Sequence, residues 1–523
     1  MVLRLESHFS RATFHGVEWL CYFPHFKGIK VTSSSSTAVS AEIGPPKYPE
    51  LGLLIDGQWR RDAKRTLSIL NPADESVLGE LPVAGLTDIA DAVDGAQRGL
   101  AVWQEASPSD RARVILRAAS LLRARRDSVA WASTLEQGKP LKQSLLEVDR
   151  AADIIEWDAN EGRRLYGRVI PSEPGMRHLV IRQPVGIVAA FSPWNFPVSS
   201  PARKIAGALS AGCSIILKAS EETPAGAIQL AETFIDAGLP PGVISLLFGE
   251  PAMISEALIP NPAVRLITFT GSIAVGKRLA ALAGAHMKPA IMELGGHGPV
   301  IICADADPVA TAMASVQIKT RNAGQVCVAP TRFFVHEGIY EQFLRVAGEQ
   351  ATAIKPADGR EAACQLGPLA NKRRVESMIR LVRDAVERGA RLIAGGQPIE
   401  GRGFYYPLTV LADVPPDAIA MHEEPFGPLM LMQPFSDLTD AIARANALPY
   451  GLAAYAFTDS ARAADLLTRQ LACGNLSINH YVASIAETPF GGVKDSGYGR
   501  EGGIEGLQCY TIVKNISHRL GPK

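Results

Sequence analysis

The sequence predicts an α/β fold in which a parallel sheet carries helices on both faces. Two observations predict it. From about residue 185 onward, short apolar runs of strand length alternate with segments of helix length, the rhythm of strand–helix–strand units. Glycine, proline or serine stands at most junctions, where the chain must turn sharply.

The elements follow in order. Residues 53–59 form an apolar strand that ends in a turn. Residues 87–165 are helical: Leu116, Ala118, Ala119 and Leu122 recur at helical spacing among Arg111, Arg113, Arg117, Arg123 and Arg125. Strands are expected at 186–191, 214–218, 243–248 and 265–269. Between and after them lie helices at 202–211, closed by Gly212, at 224–237, stopped by Gly238 and Pro240-Pro241, at 252–259, and at 273–283. A second alternating stretch covers about 298–480, with no internal repeat between the two. Ligands in such folds sit at the carboxyl ends of the strands. That directs attention to Trp194-Asn195, Lys218 to Glu221, Gly249 and Gly271-Ser272.

Composition removes several classes of function. The 523 residues hold 53 Lys and Arg against 53 Asp and Glu, so no charge excess argues for nucleic acid or an anionic membrane as partner. The longest uncharged run, 183–202, contains Pro184, Pro193, Pro197 and Pro201, which no membrane helix accommodates. It reads as a strand followed by an irregular loop. The 7 cysteines are scattered, with no C-x-x-C pair, which excludes a disulfide scaffold and a cysteine zinc site. Residues 1–45 contain a serine run, Ser33 to Ser36, and no aspartate, as organelle transit peptides do. Their few arginines, with Glu6, Glu18 and Glu42, favour an untargeted flexible extension or a start codon placed too early. The expected location is cytoplasmic, or mitochondrial if 1–45 is a transit peptide.

Several short motifs carry chemistry. Gly271-Ser272-Ile273-Ala274-Val275-Gly276-Lys277-Arg278 nearly matches a nucleoside-triphosphate loop. Arg278 stands where that loop needs a hydroxyl for magnesium, so a phosphate hydrolase is only a remote alternative. What survives is a helix N-terminus suited to a diphosphate, or simply a Gly-Ser cap. Lys218 and Glu221 end a strand, where a carboxylate can accept ribose hydroxyls. Cys327 sits on a loop between Gly324 and Pro330, near Arg321, and thiols near positive charge can become thiolates. Glu293 precedes Gly295-Gly296 in an apolar setting that raises a carboxyl pKa. Glu424 and Phe426 share a rigid Glu-Pro-Phe-Gly-Pro turn. His286, His297 and His422 form no metal-ligand pattern, and no metal is expected.

The ordered set Pro193-Trp194-Asn195-Phe196-Pro197, Lys218, Phe269-Thr270-Gly271-Ser272, Glu293-Leu294-Gly295-Gly296, Gly324-Gln325-Val326-Cys327, Glu424-Pro425-Phe426-Gly427-Pro428 and Pro489-Phe490-Gly491-Gly492 resembles the NAD(P)-dependent aldehyde dehydrogenase superfamily. The resemblance covers about 50–518. It is nearest to succinate-semialdehyde and α-ketoglutaric-semialdehyde dehydrogenases through Glu161 to Gly167 and Arg321 to Gln325.

The resemblance implies a Rossmann-like NAD(P)-binding domain over 46–165 and 184–292 and a catalytic domain over 293–480. An oligomerisation arm and tail, 166–183 and 481–518, would then make a homodimer or homotetramer. It implies Cys327 as nucleophile, Asn195 with the Cys327 N–H as oxyanion donors, and Glu293 as the base that activates water. Trp194, Lys218, Glu221, Gly271, Ser272, Glu424 and Phe426 would bind the cofactor, NAD with NADP tolerated. A carboxylate-bearing semialdehyde would be gripped by Arg164, Arg321 and Ser484. A generalist aldehyde dehydrogenase remains the alternative.

Overall fold

The computed structural model describes residues 46–62 and 65–521. The expectations for 1–45 lie outside these residues. Two large sheets organise the rest. The first has eight strands in the order Gly497–Tyr498, Ala290–Leu294, Val264–Gly271, Ile187–Phe191, Ser214–Lys218, Ile244–Leu247, Leu53–Ile55 and Gln58–Arg60. Its five central strands run parallel, in register from Phe191 beside Lys218 to Glu293 beside Thr270. They are buried along nearly their whole length, which is why they read as unbroken apolar runs rather than alternating ones. The run at 53–59 is a hairpin, turning at Asp56-Gly57 so that Leu54 faces Trp59.

Helices Leu86–Trp103, Pro108–Ala124, Leu141–Gly162, Ser199–Ala211 and Pro224–Asp236 belong to this half, their apolar residues joining the sheet in one core. Ser107 caps the second of them, its hydroxyl accepting from the Asp110 N–H. Helix Ser199–Ala211 starts three residues before the expected 202, because Ser199 and Ser200 continue the turn that follows Pro197. It stops at Gly212, where φ is +93° and an added Cβ would strike Pro184 and Arg111.

The second sheet has seven strands, ordered Arg391–Ala394, Thr409–Ala412, Leu429–Phe435, Pro330–His336, Gly298–Ile302, Ala453–Phe457 and Asn475–Ile478. All neighbours but the first pair are parallel. Apolar clusters cover both of its faces. Glu293 and Leu294 end the outermost parallel strand of the first sheet, and the second sheet begins in the chain at Gly298. A separate three-stranded sheet joins Thr511–Arg519, Met176–Pro184 and Arg168–Ile170, with Lys514 opposite Ile181. Among the described residues no helix is long and apolar enough to cross a membrane.

Candidate active site

Cys327 lies between helix Pro308–Thr320 and strand Pro330–His336, just after a single turn at Arg321–Gly324. Asn322 and Ala323 both sit at φ +50°, in the left-handed region, which costs energy for residues with a Cβ. Hydrogen bonds hold the strained turn. The Asn322 N–H donates to Gln143 Oε1 at 2.7 Å, and Asn322 Nδ2 donates to the carbonyls of Asn195 (2.9 Å) and Gln325 (3.2 Å). Gln325 Nε2 donates back to the Asn322 carbonyl at 3.1 Å. The nucleophile loop is thus tied to the loop that carries Trp194 and Asn195.

That second loop has its own anchor. Lys139 Nζ donates to Glu147 Oε2 at 2.5 Å and to the Asn195 carbonyl at 2.9 Å, with both charged side chains buried. Glu147 Oε1 accepts the Val198 and Ser199 N–H groups at 2.9 and 3.0 Å. The Asn195 side-chain amide donates to the Gln325 carbonyl at 3.0 Å. Its second N–H is left for another acceptor.

Tertiary packing brings the other motifs onto Cys327. Gly296 lies against the Cys327 carbonyl, Gly295 against the Glu424 carboxylate and Gly491 against Glu293 Oε1, with no room for a side chain at any of the three. Glu293 is buried and both its oxygens lack a partner among the described residues. Burial first, and Glu501 second, push its carboxyl well above the ordinary range. Glu501 is held by Lys204 Nζ at 2.6 Å, which also donates to Thr268 Oγ1 at 3.0 Å. The Cys327 thiol is pushed up to about 12 by burial and by the Glu424 and Glu293 carboxyls; Arg321 opposes but does not outweigh them. Burial thus outweighs the nearby positive charge and favours the thiol form in the free enzyme.

The cofactor candidates fall along the ends of the first sheet and on the Glu-Pro-Phe turn. Lys218 Nζ and Glu221 are 2.7 Å apart, and Glu221 accepts the Gly249 N–H at 2.8 Å. Ser272 caps helix Ile273–Ala285 through Val275, following Gly271 at the end of its strand. Glu424 accepts the Gly296 N–H at 3.2 Å and is pushed up to about 8 by burial. The rings of Trp194 and Phe426 meet edge to face at 5.4 Å. A carboxylate beside a lysine at a strand end, an open helix N-terminus, and a second buried carboxylate fit a dinucleotide's ribose and diphosphate groups. Arg278 pairs with Glu256 at the surface.

A cavity of about 230 Å³ reaches Cys327, between Phe196, Tyr481, Phe490 and Val328. It shares Phe196, Ser199 and Val482 with a neighbouring vestibule of about 880 Å³, which Leu146, Trp157 and Ile485 also edge. Arg321 and Ser484 line both spaces. Arg164 does not: helix Leu141–Gly162 has ended before it, and its exposed guanidinium pairs with Glu161 at 3.1 Å. The expectation for Arg164 is corrected by two arginines that sequence reading missed. Arg203 lies one turn into helix Ser199–Ala211, over the Phe490 ring at 5.5 Å, with Nη1 buried and unpartnered. Arg150 lies on helix Leu141–Gly162 and lines both spaces. The usable signal for Arg203 was its spacing: it follows Ser199 and Ser200 at helical intervals just beyond the Asn195 loop. Among the described residues Arg150, Arg203 and Arg321 have no carboxylate at ion-pair distance, and no group of metal-ligating side chains is present.

A family model described as the aldehyde dehydrogenase family matches residues 59–516. This chain belongs to the aldehyde dehydrogenase family. It is 47% identical to a putative 4-(hydroxymethyl)benzenesulfonate dehydrogenase of Comamonas testosteroni, over 90% of this chain and 98% of the relative. It is 38% identical to the NADP(+) succinate-semialdehyde dehydrogenase of Escherichia coli strain K12, over 88% and 96% of the two chains. The crystal structure of succinate-semialdehyde dehydrogenase from Burkholderia pseudomallei superposes with a TM-score of 0.89 at 37% identity, covering 92% of this chain and all of that one. This aldehyde dehydrogenase oxidises aldehydes with NAD(P), as the family does.

Proposed function

We propose that the enzyme oxidises an aldehyde carrying a remote anionic group. The carrying observation is that Arg203 and Arg321, both half-buried at the Cys327 cavity, have no ion-pair partner among the described residues, while the one carboxylate of the cavity wall, Glu501, is paired with Lys204. Charges withdrawn from water are ordinarily paired, so these two are suited to an anion from the substrate. Arg203 and Arg321, with the Ser484 hydroxyl, are the binding group. A semialdehyde acid such as succinate or α-ketoglutaric semialdehyde is the first reading. A second is an arenesulfonate aldehyde, favoured by the aromatic walls Phe196, Tyr481 and Phe490 and by the sulfonate in the name of the 47% relative.

Chemistry follows from the groups. The Cys327 thiol gives its proton to solvent in the cavity and its sulfur attacks the aldehyde carbon; the C=O π pair moves to oxygen, leaving a tetrahedral oxyanion. The free N–H of the Asn195 amide and the Cys327 backbone N–H stabilise that oxygen. A nicotinamide dinucleotide held here would supply the hydride acceptor, so that the oxyanion can re-form its C=O bond as the thioester. Glu293 takes a proton from the water that cleaves the thioester. Trp194, Lys218, Glu221, Gly271, Ser272, Glu424 and Phe426 hold the dinucleotide. Glu221 at the ribose favours NAD over NADP through repulsion of a 2′-phosphate. The eight-stranded half serves the cofactor and the seven-stranded half the nucleophile. Exposed Val169, Ile512 and Val513 on the three-stranded sheet support a homodimer or homotetramer formed along its open edges.

The test is reduction of NAD followed at 340 nm with succinate semialdehyde against butanal, and 4-formylbenzenesulfonate against benzaldehyde. We expect kcat/KM at least about a hundredfold higher for one anionic member over its neutral partner, the worth of about 3 kcal/mol. Equal values within both pairs refute the reading and leave a generalist enzyme.

A further inference from the structure

Several helix arginines of this protein pair with an acid three or four residues away. Arg345 pairs with Glu349, Arg388 with Asp384, Arg444 with Asp440 and Arg469 with Asp465. Arg150 has Glu147 three residues before it and Asp153 three residues after it, and pairs with neither. Glu147 is committed to Lys139 and to the Val198 and Ser199 N–H groups. Arg150 instead reaches across the cavity wall. Its Nη2 donates to the Ser484 carbonyl at 2.7 Å and to Ser484 Oγ at 3.1 Å.

Those bonds have a directional consequence. A serine hydroxyl has a single hydrogen and can accept as well as donate. With Arg150 donating to Oγ, the Ser484 hydrogen must go elsewhere, and no protein acceptor takes it among the described residues. Ser484 borders both the inner cavity and the vestibule, so that hydrogen is available to an acceptor in the substrate space. The bond to the Ser484 carbonyl pins the backbone of the same segment, whose Val482 and Ile485 edge the vestibule.

We infer that Arg150 is a positioning residue for substrate specificity: it fixes Ser484 as a hydrogen-bond donor to the anionic end of the aldehyde. This rests on the anionic-substrate reading above. It assigns Arg150 a role distinct from that of Arg203 and Arg321, which meet the anion themselves. Arg150 directs its Nη2 to Ser484, so its effect is exerted through that residue.

The test is steady-state kinetics on the intact enzyme with succinate semialdehyde and butanal, using Arg150→Gln, Arg150→Lys, Ser484→Ala and the Arg150→Gln/Ser484→Ala double variant. Arg150→Gln is expected to raise KM for the acid about tenfold, the worth of one hydrogen bond to a charged group. Its kcat for the acid changes less than KM, and its KM for butanal rises at least about threefold less than that for the acid. Arg150→Lys, which can restore one donor, recovers part of the loss and guards against misfolding of the glutamine variant. In the Ser484→Ala background the Arg150→Gln step shrinks, because its target is already gone. Two results overturn the inference alone: equal losses on both substrates, or full additivity of the two changes. If the wild-type enzyme shows no preference for succinate semialdehyde or 4-formylbenzenesulfonate over their neutral partners, the underlying reading fails and the inference falls with it.

Discussion

Replacing Arg321 by glutamine separates binding from stability. The guanidinium stacks over Phe196 at 5.3 Å and makes no hydrogen bond or ion pair among the described residues. Burial holds its pKa below the ordinary arginine value, the sign of a charge that lacks a partner. In the complex it meets the substrate anion. A charge-assisted hydrogen bond contributes about 1.5–3 kcal/mol. At about 1.4 kcal/mol per decade, its loss raises KM for the acid roughly tenfold to a hundredfold. Butanal has no anion to lose, so its KM changes by less than about threefold. Stability moves the other way or hardly at all. Removing an unpaired, half-buried charge relieves desolvation, while the lost contact with Phe196 costs up to about 2 kcal/mol. These nearly cancel, and the apo Tm shifts by no more than about 4 °C. The assay is NAD reduction at 340 nm with both substrates, beside thermal unfolding of the free enzyme. A parallel loss on both aldehydes, or a large fall in Tm, would refute the reasoning, since either makes Arg321 a structural residue.

Four further outcomes are expected. Cys327→Ala abolishes turnover while calorimetric titration still shows NAD binding, and Glu293→Gln slows thioester cleavage enough to reveal a burst of NADH. Because burial pushes the Cys327 thiol up to about 12, alkylation of Cys327 in the free enzyme by iodoacetamide keeps accelerating above pH 9; a plateau below pH 8 contradicts the assignment. Lys139→Met strands the buried Glu147 carboxylate and should cost about 3–5 kcal/mol in stability, with a fall in kcat as the Asn195 loop loosens; an unchanged Tm removes the anchor role. Burial raises the Asp158 carboxyl from 3.8 to about 7, so its stabilising contribution is full below pH 3.8 and is lost as pH rises through 7. Asp158→Asn should flatten the Tm profile over that window, and an unaltered slope excludes Asp158 as its source.

The local strings were legible because each encodes its own geometry. Gly296 leaves room for the Cys327 carbonyl and Gly324 takes φ +71° just before the nucleophile. Ser272 caps the helix it precedes, and the apolar strands were visible from their unbroken burial on two faces. Cys327, Glu293, Asn195 and Glu424 lie in or beside such strings, so sequence alone nominated them. It could not say how burial would set their protons. The Cys327 thiol depends on Glu424 and Glu293, which lie 97 and 34 residues away in the chain.

At the substrate end the resemblance nominated Arg321 and Ser484, which line the cavity, and tertiary structure decided the rest. Adjacent Arg163 and Arg164 gave no hint that helix Leu141–Gly162 stops just short of them and leaves Arg164 in solvent. Arg150, Arg203, Arg321 and Ser484 come from separate helices and loops, and none belongs to a spaced motif with the others. They converge because helices Leu141–Gly162 and Ser199–Ala211 pack their apolar faces into one core, which turns their remaining long side chains toward the same cavity. Local propensity and turn chemistry act over a few residues. The field inside a cavity is summed over every charge that packing brings to its wall.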